Sequence, residues 1–244
     1  MNSCALTDKG IVRTQNQDSF YVSCLDDKNA AILIVCDGMG GARAGNVASD
    51  LACKVFSDSV RKAVERNVSD KDLSDAMKNA LGVANTAVYE LSCTDAECRG
   101  MGTTLVAAVA RGELLTVLNV GDSRLYRISG GAIELVTRDH SVVEDMIQRG
   151  KITREESRNH PNKNLITRAV GTAQEVRSDV FTLTIKKGDR LLLCSDGLSN
   201  MLEDDEMLEI INSGGSTDDA AAELMKKALD RGAPDNVTLV LFQA

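Results

Sequence analysis

Three apolar runs end in an acidic turn, and a fourth acid directly precedes the last run. Ile32-Leu33-Ile34-Val35-Cys36 leads into Asp37-Gly38, Val117-Leu118-Asn119-Val120 into Gly121-Asp122, and Leu191-Leu192-Leu193-Cys194 into Ser195-Asp196-Gly197. Asp235, within Pro234-Asp235-Asn236, directly precedes the last apolar run. Each run reads as a strand, and carboxylates at the ends of packed strands can converge on one rim. Acids brought together repel one another unless cations neutralise them. The pattern therefore predicts an oxygen-ligated metal cluster, for which Mg2+ or Mn2+ is best suited. Asp-Gly is also the ordinary signal for a strand to turn, so one such dipeptide says little. Four in one chain favour the metal reading.

Composition narrows the alternatives. Only His140 and His160 are present, which excludes a His-rich zinc site and leaves oxygen as the expected ligand. Of the 36 acids, 23 are Asp, the short carboxylate suited to turns that hold hard cations. Lys plus Arg total 28 and the net charge is -8, so a general nucleic-acid binder is excluded. Seven cysteines scattered from Cys4 to Cys194 form no disulfide framework, and Cys93 and Cys98 are the only close pair; free thiols are expected. No apolar stretch is long enough to cross a membrane and the start lacks a secretory h-region, so a cytoplasmic location is expected. At 244 residues, 43% of them hydrophobic, the chain suits a single globular domain.

The elements that must position the acids follow from periodicity. Val47/Ala48, Leu51/Ala52, Val55/Phe56, Val60 and Ala63/Val64 mark a long amphipathic helix. A second starts after Ser69, whose spacing to Asp72 resembles a capping box, and the two are expected to pair. Strands are predicted at 19–24, 30–36, 103–110, 114–120, 124–128, 132–136, 180–185, 190–194 and 237–242. Two more helices, at 204–211 and 218–230, precede the last strand, with Gly232 stopping the second. This order fits neither βαβ alternation nor a helix bundle. It points to two largely antiparallel sheets packed face to face with helical pairs outside. From His140 to Gln174 the chain is polar, with a short helix capped by Thr153 through Glu156 and ended by Asn159-His160-Pro161. Such an excursion reads as a mobile surface element.

Together with Arg13-Thr14-Gln15-Asn16-Gln17-Asp18, Asp37-Gly38-Met39-Gly40-Gly41, Gly102-Thr103-Thr104 and Asn119-Val120-Gly121-Asp122-Ser123-Arg124, the motifs Ser195-Asp196-Gly197 and Asp235-Asn236 resemble the PP2C (PPM) family of metal-dependent protein phosphatases in its bacterial form. They occur in family order over nearly the whole chain. The resemblance implies an α+β, four-layer αββα sandwich spanning residues 1–244, with a flap subdomain at about 144–171. It implies that Asp37, Asp196 and Asp235 are the catalytic acids. Asp37 would bridge two Mn2+ or Mg2+ ions, the Gly38 carbonyl would bind one, and Asp196 and Asp235 would complete the shell of the other. Asp18 would act through water, Asp122 with Asp196 would hold a third, weaker ion, and Arg13 would receive the substrate phosphate.

The implied reaction is hydrolysis of phosphoserine or phosphothreonine in proteins, opposing a bacterial Ser/Thr kinase, by a cytoplasmic monomer with no nucleic-acid or membrane partner. A phosphate ester dianion repels an incoming oxygen, and paired ions that acidify water answer this without a protein nucleophile. Arg13 offers a planar fork that matches two phosphate oxygens. The sequence departs from animal relatives at Met39, where they carry a His that protonates the leaving oxygen; the acid is unassigned, with water in the metal shell the first candidate and His140 read as structural. It departs from bacterial relatives at Ala42-Arg43-Ala44-Gly45-Asn46, where they carry His and Glu. Two other readings stay open: a catalytically silent binding module, and a small-molecule or partner-switching phosphatase.

Overall fold

A computed structural model describes residues 2–158 and 160–244, apart from the side chains of residues 41–43 and 158. The chain runs β1 (Asn2–Asp8), β2 (Asp18–Leu25), β3 (Ala30–Met39), α1 (Gly41–Glu65), α2 (Asp70–Thr94), β4 (Gly102–Thr103), β5 (Leu105–Arg111), β6 (Leu114–Val120), β7 (Arg124–Ser129) and β8 (Ala132–Leu135). It continues with α3 (Val142–Gln148), α4 (Arg154–Arg158), β9 (Asp179–Thr184), β10 (Arg190–Cys194), α5 (Asp196–Ser199), α6 (Asp204–Asn212), α7 (Thr217–Asp230) and β11 (Val237–Gln243). One sheet has the order β1-β11-β10-β7-β8, the other β2-β3-β5-β6-β9 with β4 beside the end of β3, and the pairings are antiparallel.

Three apolar layers make this an α+β fold of four layers. Ile32, Ile34 and Cys36 of β3 pack with Phe56 and Val60 of α1 and Leu73 and Met77 of α2. Leu33 and Val35, on the opposite face of the same strand, meet Leu193, Val240 and Phe242 from the other sheet. Leu192, Leu239 and Leu241 face Ile210, Leu224 and Ala228 of α6 and α7. A strand buried on both faces gains nothing from polar alternation, which is why the runs that end in acids are apolar but for Asn119.

The helix signals act locally as read. Ser69 Oγ accepts from the Asp72 N–H at 3.2 Å, and Thr153 and Glu156 cap α4 through reciprocal bonds, the Thr153 N–H donating at 2.7 Å. Asn159, expected to help end α4, lies outside the described residues. Besides the short α5, which was not expected, three features differ from the sequence reading. β1 was not expected; it is a half-buried strand at a sheet edge, paired from Asn2↔Gln243 to Asp8↔Val237. The strand expected over 103–110 is interrupted at Thr104, which belongs to neither β4 nor β5. The polar excursion contains α3 besides the short helix, its start capped by Ser141 Oγ, which accepts from the Glu144 N–H at 3.2 Å.

Candidate active site

Strand pairing places Asp18 directly opposite Asp37. Two carboxylates at such positions have Cβ atoms roughly 5 Å apart and repel each other. Asp122 lies in the turn between β6 and β7, Asp196 opens α5 where β10 stops, and Asp235 lies just ahead of β11. Asp37, Asp122, Asp196 and Asp235 line one cleft of about 470 Å3 with Arg13, Gly38 and Met39. Asn164 and Ile166 of the excursion form part of its wall. Asp18 does not line this cleft; Ser195 Oγ donates to its Oδ2 at 2.8 Å, while its buried Oδ1 has no partner. A neighbouring cavity of about 560 Å3 shares Asp122 and Asp196 with the cleft and continues along α3 and α4.

The electrostatics register the crowding. Burial, reinforced by Asp196 and Asp235, pushes Asp18 up to about 7 against hydrogen bonds from Thr238 and Ser195. Asp196 rises to about 6 through burial and then the charge of Asp235. Asp37 and Asp122 are driven well above the carboxylate range, first by burial and then by neighbouring acids. Asn200 Nδ2 donates to Asp196 Oδ2 at 3.0 Å, yet Asp196 Oδ1 is buried without a partner. Arg13 donates to Asp235 Oδ2 at 2.7 Å, and with both side chains exposed this pair adds little to stability.

Gly38 is required by space. A Cβ there would lie 2.1 Å from the Gly45 carbonyl oxygen and 2.5 Å from that of Gln17. Among the described residues no set of three His, Cys, Asp or Glu side chains forms a ready-made metal cage. Whether ions fit therefore rests on the donor set, and it is favourable. It offers carboxylate oxygens that hard cations prefer, two buried orphan oxygens on Asp18 and Asp196, and a repulsion that positive charge would remove.

Some residues that organise the cleft were given no such role in the sequence reading. Asn236 Oδ1 accepts from the Gln17 N–H at 2.8 Å, and its Nδ2 donates to the Lys9 and Gln15 carbonyls, both at 2.9 Å. This one buried amide fastens the loop that presents Arg13. Ser195 Oγ accepts from the Thr238 N–H at 3.0 Å while serving Asp18. His140, expected to be structural, is buried; its Nδ1 accepts from the Gly121 N–H at 3.1 Å, and its Nε2 lies 3.3 Å from Asp179 Oδ2 and 3.0 Å from Arg168. Of the replaced stretch 42–46, Ala42 and Arg43 lie outside the described side chains, and Asn46 Oδ1 is buried without a partner.

Comparison with known proteins gives the family and the fold. The family model "Protein phosphatase 2C" matches residues 11–235. "Serine/threonine phosphatase stp" of Listeria monocytogenes serotype 4b is 37% identical over 97% of this chain and 93% of its own length. The Streptococcus agalactiae serine/threonine phosphatase structure superposes with a TM-score of 0.91 at 33% identity, covering 98% of both chains. The catalytic domain of the phosphatase PstP, solved in complex with two manganese ions, gives 0.85 at 34% identity over 98% of this chain and 96% of that one. Matched along almost its full length in sequence and in fold, the chain belongs to the protein phosphatase 2C family.

Proposed function

We propose that this chain hydrolyses phosphoserine and phosphothreonine esters in proteins, using Mn2+ or Mg2+, and opposes a Ser/Thr kinase in the bacterial cytoplasm as a monomer. The observation that carries the reading is the convergence of Asp37, Asp122, Asp196 and Asp235 with Arg13 on one cleft, from strand ends far apart in sequence. The manganese complex of the PstP catalytic domain supports it, and among the described residues no helix is long and apolar enough to cross a membrane.

Asp37 would bridge two ions, the Gly38 carbonyl would join one, Asp196 and Asp235 would complete the other, and Asp18 would contribute through water. Asp122 with Asp196 would hold a third, weaker ion. Bound there, the ions supply Lewis acidity that acidifies water and offsets the phosphate charge. Arg13 stays charged at any working pH and presents its fork to two phosphate oxygens, fixing the ester beside the acids. Met39 cannot protonate a leaving alkoxide and neither histidine lines the cleft, so water is the first candidate to supply that proton. The excursion at 144–171 acts as a flap: Asn164 and Ile166 reach the cleft wall, where the residues flanking a phosphorylated side chain must pass.

The test is hydrolysis of a small aryl phosphate with Mn2+ and with chelator, repeated on Asp37→Asn and Asp196→Asn. Metal-dependent turnover lost in both variants supports the proposal, whereas a protein that binds Mn2+ without turnover is the silent module. Phosphopeptides are then compared with small phosphate esters; loss of the peptide preference on exchanging residues 144–171 assigns substrate selection to the flap.

A further inference from the structure

The Gly102-Thr103-Thr104 motif was assigned no role in the site above, although Thr104 lines its cleft, and its two threonines grip the backbone of Asp37. Thr104 Oγ1 accepts from the Asp37 N–H at 2.9 Å, while the Asp37 carbonyl accepts from the Thr104 N–H at 2.8 Å and from Thr103 Oγ1 at 2.9 Å. Both backbone polar groups of Asp37 are thereby fixed by adjacent residues. The hold is possible because the sheet breaks at this point. β3 pairs with β5 up to Val35↔Val106 and with β4 from Gly38↔Thr103, which frees Thr104 from either ladder.

Thr104 also reaches the second acidic turn. Its Oγ1 lies 2.7 Å from Ser123 Oγ, both groups being buried, and Ser123 follows Asp122 directly. Its methyl lies beneath the backbone of that turn. A Cβ on Gly121 would fall 2.6 Å from Thr104 Cγ2, and at a φ of +102° glycine is the natural occupant. One buried side chain thus touches the backbone of the turn carrying Asp37 and two residues of the turn carrying Asp122, and it lines the cleft between them.

We infer that Thr104 is a positioning residue whose hydroxyl, clasped to Ser123, sets the separation of Asp37 from Asp122 and so the spacing of the core ion pair from the third ion. The inference rests on the metal reading above. Hydroxyls that orient ligands without touching the ion commonly change metal affinity 10- to 100-fold when removed. Thr104→Val keeps the shape and deletes the hydroxyl, Thr104→Ser keeps the hydroxyl and deletes the methyl, and Ser123→Ala cuts only the link to the second turn.

The experiment is Mn2+ titration of each chelator-stripped protein by calorimetry in the absence of substrate, with a thermal melt to establish cooperative folding. Thr104→Val is expected to weaken Mn2+ binding by about tenfold or more and Thr104→Ser to recover most of it. Ser123→Ala is expected to weaken chiefly the lowest-affinity step. A folded Thr104→Val with wild-type affinity, or a Thr104→Ser as impaired as Thr104→Val, overturns the inference. If Thr104→Val does not fold, Ser123→Ala decides: unchanged low-affinity binding overturns the clasp. A wild-type protein that binds no Mn2+ refutes the metal reading itself, which keeps the two failures distinct.

Discussion

Asn236→Ala tests whether one amide holds the loop carrying Arg13 in place. The side chain is buried and makes three hydrogen bonds of 2.8–2.9 Å, to Lys9, Gln15 and Gln17. At about 1 kcal/mol net each, their loss costs about 3 kcal/mol, and the freed backbone groups recover part of this only where water reaches them. For a chain of this length about 2–4 °C of Tm follows each kcal/mol, so the melt should fall by about 6–12 °C. Arg13, no longer tethered through its loop, should bind phosphate less well, raising KM for an aryl phosphate by more than kcat falls. Asn236→Asp keeps the acceptor for Gln17 and loses both donors, so it should retain about a third of the bonding. Denaturant unfolding with steady-state kinetics gives both quantities. A stability change under about 0.5 kcal/mol with an unchanged KM would show that the loop is held by something else.

Arg13→Lys keeps the charge but loses the fork, and kcat/KM should drop roughly 10- to 100-fold with no change in melting temperature; wild-type kinetics would remove Arg13 from phosphate binding. In chelator the native carboxyls of Asp18 (about 7) and Asp196 (about 6) titrate above the unfolded value of 3.8, so the native state holds extra protons between those limits. Stability should then fall as pH rises from about 4 to about 7, and melting at pH 5 should exceed that at pH 7.5. Saturating Mn2+ at 100 times its Kd should raise the pH 7.5 melt by about 5–10 °C and flatten that slope; a chelated protein most stable at pH 7.5 would count against the crowded-acid picture. Gly38→Ala forces a Cβ to within 2.1 Å of the Gly45 oxygen and should cost about 3 kcal/mol or more, measured by urea unfolding.

The acids were legible because the local signals agree: a doubly buried strand reads as an unbroken apolar run, and Asp-Gly marks where it turns. Their convergence was not, since spacing carries no register, and only pairing such as Asp18↔Asp37 brings them together. Thr104 was noted only as part of a motif; its role was not legible because two β-favouring threonines beside an apolar run look like strand, and the break shows only against β3. Asn236 was hidden for another reason: its partners lie about 220 positions away, beyond any local pattern. β1 is a mixed, half-buried stretch whose partner is the far end of the chain. In the excursion, Ser141 and Glu144 carry the same spacing as Thr153 and Glu156, so the start of α3 was readable and was obscured by the polar residues around it.

β11 lies between β1 and β10, and the cleft draws Arg13 from one end of the sequence and Asp235 from 222 positions later. A ribosome working at about 5–20 residues per second needs roughly 10–45 s to cover that distance. For most of that interval the nascent polypeptide already owns Asp18 and Asp37 but has no β11 to close the sheet and no Asp235 beside Arg13. Its cleft can close only after β11 has been made and has paired.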